Sequence, residues 1–341
     1  MSAPVPSAKM ISVAPMMDWT DRHCRVLHRL LSRHVRLYTE MVTADAVIHG
    51  NRHRLLGFSP IEHPVALQLG GSDPKKLAEA ARIGGDLGYD EINLNAGCPS
   101  DRVQSGCFGA ILMRTPELAA ECAAAMRAAS PVPVTVKCRI GVDEQDPKEA
   151  LPAFVDACAA AGITSFAVHA RKAWLSGLSP AHNREIPPLD YPLVYELKHA
   201  RPELTIIVNG GITSLDATEQ HLSFVDGVML GRAAYQTPTI LADIDRRFFD
   251  RSDAGVERAV EVYMNYIAER LEQGVPLNAM TKHMLGLFQG QRGARLFRRH
   301  LSENATRKGA GISVLQDALS FIEAPHPAAA PALFVLDQMQ G

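Results

Sequence analysis

The stretch TIIVNGGITSLDATEQHLSFVDGVMLGR, residues 205–232, carries the pattern that decides the fold. It opens with an apolar, β-branched run, passes through a polar segment and closes with a second apolar run, VDGVML (Val225–Leu230). Each run has the length of one buried strand and leads into a glycine-containing turn. A strand, a helical segment and another strand predict one unit of a parallel α/β sheet.

The same unit recurs over most of the chain. Helical segments with start signals lie between the strands, for example SDPKKLAEAARIGG from Ser72 and TPELAAECAAAMRAA from Thr115, where a proline occupies the first turn. The GxGxxG turn typical of a doubly wound dinucleotide-binding sheet is absent from the sequence. Repeated alternation therefore favours a (β/α)8 TIM barrel. The predicted strands are Ile11–Pro15, Leu37–Met41, Val65–Leu69, Glu91–Asn95, Val134–Cys138, Ser165–His169, Thr205–Asn209 and Val225–Leu230.

The pattern changes after Arg232. From about Thr237 onward the sequence has helical periodicity, as in ERAVEVYMNYIAERLEQG and RLFRRHLSENAT. The fold class is therefore predicted as α/β, a TIM barrel followed by a C-terminal all-helical domain. We place the catalytic barrel at residues 1–245 and the helical domain at residues 246–341, with an irregular tail after Glu323.

Composition favours a soluble globular protein. Of the 341 residues 47% are hydrophobic and 21% charged, and no apolar run has the length of a membrane helix. The N-terminus lacks an export signal, and the six cysteines show no paired spacing, so a reducing cytoplasmic setting is expected. The chain is expected to act as a monomer, without a membrane or a metal.

Polar residues follow the apolar bodies of several predicted strands. In a barrel of this kind the C-terminal ends of the strands meet on one face, where active sites lie. A single polar strand end is usually a turn former, whereas several on one face indicate a functional site. An ammonium at Lys137, at the end of a buried strand, favours contact with an anion or an electron-rich ring. The strand-end residues are Met16, Glu40, Gln68, Asn95, Lys137, His169, Asn209 and Gly231.

Glycines follow the last two predicted strands. Asn209-Gly210-Gly211 and Gly231-Arg232 stand where barrels often bind a phosphate through backbone N–H groups. Arg232 adds a guanidinium able to bind the phosphate. Plain strand-to-helix turns would explain either motif alone, but the two together favour a phosphate site.

Cys98, in LNAGCPS (Leu94–Ser100), has three possible roles: a buried filler, a metal ligand or a reactive thiol. No second ligand is spaced to share a metal with it. Its place after the fourth strand, on the face that carries Gln68 and Lys137, favours a reactive thiol. Cys107, in the same glycine-rich loop, is expected to pack as a small hydrophobic residue.

The helical domain contains a basic segment, QRGARLFRRHLSENATRKG. Arg295, Arg298 and Arg299 recur at helical spacing, so they share one side of a helix. A solvated charged face is the usual explanation, but one sign of charge dominates in a chain whose net charge is −2. A phosphate-contacting surface for nucleic acid is therefore favoured.

Seven ordered motifs resemble the tRNA-dihydrouridine synthase family, and the resemblance runs from about Ile11 to Lys308. They are APMMDWTD, QLGG, LNAGCPS, VKCRIG, VHAR, VNGGI and GRAAY. NREIPPLDY (Asn183–Tyr191) is similar to the A-type branch, which acts at positions 20 and 20a of the tRNA D loop.

The resemblance implies an FMN cofactor reduced by NADPH. The residues that it places against the flavin and its phosphate are Pro15, Met16, Met17, Gln68, Lys137, His169, Asn209, Gly210, Gly211, Gly231 and Arg232. The implied reaction reduces the uracil C5–C6 double bond, with hydride from flavin N5 to C6. A proton must then reach C5, and Cys98 is its expected donor because thiols are mostly protonated at neutral pH.

The implied substrate also requires RNA contacts, because the target uridine must leave the folded tRNA to enter the site. The residues expected to contact RNA are Asn95, Arg139, Asn183, Arg184, Arg295, Arg298 and Arg299. An FMN-dependent barrel acting on a free pyrimidine or a small enone is the alternative, but it leaves the basic helix unused. A non-enzymatic RNA-binding scaffold would leave the strand-end residues without a role.

Overall fold

The structure, a computed structural model, describes residues 9–100, 108–249 and 255–322. Nine short strands form one parallel sheet in the order β1-β9-β8-β7-β6-β5-β4-β2, and β3 also pairs with β4. Two short strands thus share one position in the sheet, which has eight positions in all. The strands are β1 (Met10–Val13), β2 (Leu37–Tyr38), β3 (Val42–Thr43), β4 (Val65–Gly70), β5 (Glu91–Ala96), β6 (Val134–Arg139), β7 (Ser165–His169), β8 (Thr205–Asn209) and β9 (Gly227–Leu230).

Hydrogen bonds at the first strand bring the two ends of the sheet together. On one side β1 pairs with β9 in parallel. On the other, Val13 N–H donates to the Arg36 carbonyl and Arg36 N–H donates to the Ile11 carbonyl, both over 2.9 Å. The strands therefore form a barrel, and the predicted TIM-barrel fold is confirmed.

The second predicted strand differs from the observed one. The sequence predicts a single strand over Leu37–Met41, but pairing stops after Tyr38 and resumes at Val42. Glu40 lies in the gap, where its carboxylate accepts a hydrogen bond from the Asp18 backbone N–H over 2.5 Å. The other predicted strands agree with the observed ones within two residues at each end.

Helices cover the outside of the barrel, and several begin at the predicted signals. Asp73 and Asp146 cap helices that open with a proline, and each carboxylate accepts a backbone N–H of the first turn. The α-helices are α1 (Arg22–Leu31), α2 (Ala44–His49), α3 (Arg52–Leu56), α4 (Pro74–Asp86), α5 (Pro116–Ala129), α6 (Pro147–Ala160), α7 (Tyr191–Ala200), α8 (Leu215–His221), α9 (Arg232–Gln236), α10 (Ile240–Phe248), α11 (Gly255–Glu272), α12 (Leu277–Thr281), α13 (Ala294–Asn304) and α14 (Ile312–Leu319).

Side chains along each strand point alternately toward the outer helices and into the barrel interior. Leu67, Ile92 and Val136 lie under the helices and have no exposed surface. Gly84 of α4 packs so closely on this layer that an added Cβ would lie 2.7 Å from Leu67 Cδ2. Side chains alternate along a strand, so Gln68, between Leu67 and Leu69, lies inside the barrel.

The chain divides into two compact units, residues 1–267 and 268–341, so the first extends past the boundary predicted after residue 245. All regular elements described in the second unit are helical, and Phe288 and Phe297 meet there edge to face with ring centroids 5.0 Å apart. No helix in the described ranges has the length and apolar composition needed to span a bilayer. The predicted irregular tail lies outside the described residues.

Candidate active site

The predicted strand-end residues meet at the C-terminal end of the barrel. Asn95 pairs in register with Lys137 on the neighbouring strand, and His169 pairs with Asn209 on the next two. Gln68 is joined to Asn95 by a side-chain hydrogen bond of 2.8 Å. The barrel therefore brings side chains from five strands onto one face, as the sequence predicts.

The loop after β5 is held by hydrogen bonds to its backbone. Asn95 Oδ1 accepts N–H bonds from Gly97 over 3.1 Å and from Cys98 over 3.0 Å. The Cys98 carbonyl accepts the Ala110 N–H over 2.9 Å. The partly exposed thiol, whose Sγ lies 3.5 Å from Ser100 Oγ, thus stands on a fixed backbone at the mouth of the barrel.

Burial determines the charge of the two basic residues at this face. Burial first, and the charge of Arg139 second, lower the pKa of Lys137 to about 8. The pKa of His169 lies well below its ordinary range, mainly because of burial and then because of Arg139 and Lys137. At neutral pH the site therefore contains an ammonium at Lys137 and a neutral imidazole at His169.

The His169 imidazole has an unused polar atom. Its Nδ1 is buried and has no hydrogen-bond partner among the described residues. A buried polar atom without a partner is unfavourable, and a bound ligand that supplies one relieves the penalty. The neutral ring can either donate to or accept from such a ligand, depending on its tautomer.

Four guanidiniums lie beside this site with few acids among them. Burial and two neighbouring arginines lower the pKa of Arg139 to about 10, and those of Arg171 and Arg184 are also lowered, in part by Arg232. Among the described residues, Glu185 provides the one carboxylate that bonds to this group, through Arg232 Nη1 over 2.6 Å. Mutual repulsion among the arginines favours binding of an anion.

The glycine turns after β8 and β9 are candidates for a phosphate site. Gly210 and Gly211 have φ values of +110° and +70°, and no acceptor for their backbone N–H groups lies among the described residues. An added Cβ at Gly231 would meet no atom within 4 Å, so open space lies beside that turn. Together with Arg232, these turns fit the phosphate group of the expected cofactor.

The turn after β1 carries Pro15, Met16 and Met17. The Thr20 hydroxyl bonds to both the N–H and the carbonyl of Met16, over 3.0 and 3.1 Å. Met17 follows with 52% of its surface exposed. This turn therefore presents apolar side chains at the same end of the barrel, where a planar ring can pack against them.

Three residues expected to contact RNA lie away from the surface. Asn95 is 8% exposed, and its side chain forms hydrogen bonds with Gln68 and with the backbone of the Cys98 loop. Arg139 is 4% exposed and donates to the carbonyls of Gly97 and Asn183, over 3.1 Å each. Asn183 has no exposed surface, and its side chain bonds to both backbone groups of Trp174 over 2.7 and 2.8 Å. Here tertiary packing uses these polar groups to join loops, which the sequence pattern does not reveal.

The other expected RNA contacts are better exposed. Arg184 lies at the surface of the connection between β7 and α7. In the second unit, Arg295 and Arg299 are exposed and Arg298 is partly exposed on α13. Phe297 and Leu301 of the same helix are buried, so the arginines lie away from its packed side.

Four buried polar residues inside the barrel, below the rim, are not among the residues predicted from the sequence: Tyr38, Glu91, Asn93 and Thr135. The strand EINLNA, Glu91–Ala96, contained the signal for two of them, because its polar residues alternate with apolar ones. Cys107, predicted to pack, lies outside the described residues.

A family model described as dihydrouridine synthase (Dus) matches residues 12–323 of the chain. A tRNA-dihydrouridine(20/20a) synthase of Xanthomonas campestris pv. campestris is 55% identical over 322 residues, covering 93% of this chain and 96% of that protein. A protein of the same name from Vibrio cholerae is 57% identical over 315 residues, covering 92% and 96%. An old yellow enzyme homologue from Zymomonas mobilis superposes with a TM-score of 0.48 and 12% identity, covering 74% of this chain and 92% of that one.

Proposed function

The chain belongs to the dihydrouridine synthase family, and on that premise we propose that it reduces uridines 20 and 20a of the tRNA D loop to 5,6-dihydrouridine. The relatives named above carry that activity in their names and match nearly their whole length. The observation that carries the proposal is the Cys98 thiol on a loop whose backbone is held by Asn95, on the barrel face that also holds Gln68, Lys137 and His169.

FMN is the cofactor that these residues fit. The turns at Gly210, Gly211 and Gly231, with Asn209 and Arg232, would hold its phosphate. Pro15, Met16 and Met17 would pack against the ring system, and Gln68, Lys137 and His169 would bond to its polar edge. When bound and reduced by NADPH, the flavin supplies the hydride for C6 of the uracil ring.

The protein's own residues would manage the proton and the charge. Cys98 would donate its thiol proton to C5 of the uracil, because a general acid must lie within reach of that carbon. Negative charge that develops on a uracil carbonyl would be stabilised by Lys137 of β6, whose ammonium interacts electrostatically with Cys98. A neutral His169 can add a hydrogen bond without a second positive charge.

In this proposal the exposed arginines contact the RNA. Arg184 beside the barrel mouth and Arg295, Arg298 and Arg299 on α13 would bind backbone phosphates. Asn183 and Arg139 are instead assigned to the shape of the connection that carries Arg184, because both are buried in it. The target base would leave its stack to reach Cys98.

A comparison of the purified protein with its Cys98→Ala variant tests this function. Each is incubated with FMN, NADPH and unmodified tRNA, and dihydrouridine is mapped along the RNA. The wild type is expected to modify positions 20 and 20a, and the variant is expected to be at least about 100-fold slower, because general acid catalysis contributes roughly 100- to 10,000-fold. FMN content and flavin reduction by NADPH should match in the two proteins.

Two results would contradict the proposal. Dihydrouridine at normal rates with Cys98→Ala would remove the proton-donor role. Reduction of free uridine or of a small enone, with no change in tRNA, would favour an oxidoreductase for small molecules. Cys138→Ala is the matched control, because that thiol is fully buried under the helices and faces away from the site.

A further inference from the structure

A buried carboxylate lies inside the barrel, below the proposed active site. Glu91 of β5 is 1% exposed. Its Oε1 accepts hydrogen bonds from Tyr38 Oη and from Thr135 Oγ1, each over 2.6 Å, and its Oε2 pairs with Arg36. A buried carboxylate requires hydrogen-bond donors, and the three partners here are all donors. Glu91 therefore acts only as an acceptor.

From Glu91 a continuous chain of side-chain hydrogen bonds runs to the rim. Thr135 Oγ1 accepts from Asn93 Nδ2 over 2.7 Å, and Asn93 Oδ1 accepts from Gln68 Nε2 over 2.8 Å. Gln68 Oε1 then accepts from Asn95 Nδ2 over 2.8 Å. The strand register explains these contacts, since Asn93 pairs with Gln68 on one side and with Thr135 on the other.

Both ends of this chain impose the same direction on its hydrogen bonds. At the top, Asn95 Oδ1 faces two backbone N–H groups, which can only donate, so its amide nitrogen must point at Gln68. At the bottom, Glu91 can only accept, so the Thr135 hydroxyl proton points at it and its oxygen accepts from Asn93. The side-chain amides of Asn95, Gln68 and Asn93 therefore each have one favourable orientation.

The polar chain occupies only one side of the barrel interior. Ala14, Ala167, Ile207 and Met229, from β7, β8, β9 and the residue after β1, form an apolar cluster in the interior. Apolar residues would also fill the side formed by β4, β5 and β6, without the penalty of burying polar groups. The linked side chains of Gln68, Asn93, Asn95 and Thr135 thus lie on β4, β5 and β6, the strands that lead to Gln68, Cys98 and Lys137.

We propose that Glu91, Thr135 and Asn93 are positioning residues, which act through Gln68 and Asn95 to fix the Cys98 loop for proton transfer. This inference rests on the proposed function. Without the Thr135 end, only the two backbone N–H groups at Asn95 oppose rotation of these amides, so the Cys98 N–H keeps its acceptor for less of the time. The thiol would then spend less time within reach of the uracil C5, while groups that contact only the cofactor would be undisturbed.

Substitution of Thr135 tests the inference most directly, because the proposed role of this residue depends on one atom, Oγ1. Thr135→Val keeps the shape and removes the hydroxyl, whereas Thr135→Ser keeps the hydroxyl. For each holoenzyme the rate of flavin reduction by NADPH is measured without tRNA, and the rate of flavin reoxidation by tRNA is measured in a single turnover. The valine variant is expected to lose about 10-fold or more in the second rate with the first unchanged, and the serine variant is expected to recover most of that loss.

Thr218→Val is the matched control. It removes another fully buried hydroxyl, which bonds to the Ser214 carbonyl over 2.9 Å on the outer helix α8. It should leave both rates unchanged even if it lowers stability. If Thr135→Val does not fold, Asn93→Ser breaks the chain at the next link, and the same selective loss in the second rate is expected.

Three outcomes would overturn the inference. A normal reoxidation rate in Thr135→Val would do so, as would equal losses in the valine and serine variants. An equal loss in both half-reactions would indicate general damage to the site instead of positioning of Cys98. If the wild-type protein forms no dihydrouridine at all, the proposed function fails and this inference fails with it, which the wild-type assay reveals separately.

Discussion

At the scale of single residues, Lys137 combines burial with charge. Its strand neighbours Val136 and Cys138 are fully buried, and its own ammonium reaches the mouth of the barrel beside Arg139. Such a group destabilises the protein alone and is stabilised when an anion or an electron-rich ring binds near it. A lysine pKa lowered by burial, as at Lys137, is typical of a site that binds an anionic ligand.

Lys137→Met is expected to stabilise the apoprotein at pH 7. The folded pKa of about 8 lies below the ordinary 10.5, so the charged form is penalised in the folded state. The penalty is complete below pH 8 and disappears as the pH rises from about 8 to about 10.5, because the unfolded chain then binds more protons. The variant should gain on the order of 2 kcal/mol at pH 7 and little near pH 10.5.

Urea unfolding of both apoproteins at a series of pH values measures this difference. The exposed Lys148→Met serves as the control for the loss of one lysine charge at the surface. A gain that is equal at pH 7 and pH 10.5 would attribute the effect to packing instead of charge.

At the scale of elements, the connection from β7 to α7 depends on a buried amide. The Asn183 side chain joins Trp174 and Leu178 within the connection, and the Asn183 carbonyl accepts from Arg139 of β6. Asp143, at a φ of +46°, accepts the Leu175 N–H over 2.8 Å and ties the next loop to it. These bonds bring the guanidinium of Arg184 to the face where Cys98 lies.

Asn183→Ala is expected to loosen this connection even without RNA. The Trp174 N–H loses its acceptor, so its hydrogen exchange should accelerate by about 10-fold or more. Arg184→Ala is the matched neighbour, because its exposed side chain takes no part in that bond. In the free protein, hydrogen exchange of the Trp174 N–H should be faster in Asn183→Ala and unchanged in Arg184→Ala. Both variants should bind tRNA more weakly. Unchanged Trp174 exchange in Asn183→Ala would contradict the structural role.

At the scale of the whole molecule, charge is distributed unevenly. The net charge is −2, yet four guanidiniums of the first unit lie beside the proposed active site, and three of the second lie on α13. Sequence spacing predicted the basic face of α13, because helical periodicity is a local property. The cluster at the barrel mouth comes from three chain segments, β6, the connection from β7 to α7 and the start of α9, which only the fold brings together.

The combined substitution Arg295→Ala and Arg298→Ala should reduce the salt dependence of tRNA binding. Each lost phosphate contact lowers the slope of log Kobs against log salt concentration by about 0.7 to 0.9, so the slope should fall by roughly 1 to 2. Filter binding or fluorescence anisotropy at several salt concentrations measures it. Arg82→Ala with Arg127→Ala, on exposed positions of α4 and α5, changes the net charge equally and should leave the slope unaltered. Equal effects of the two pairs would contradict a defined contact surface on α13.

The sequence by itself determined the barrel and the residues at its rim. The strands and helices follow from local periodicity, and a barrel places every strand end on one face, so Gln68, Lys137 and His169 could be grouped without coordinates. The exposure of Asn183 and Arg139, and the hydrogen-bond chain from Glu91 to Asn95, were decided only by the tertiary structure. They depend on strand register and on loop packing between distant segments, which alternation along a single strand does not encode.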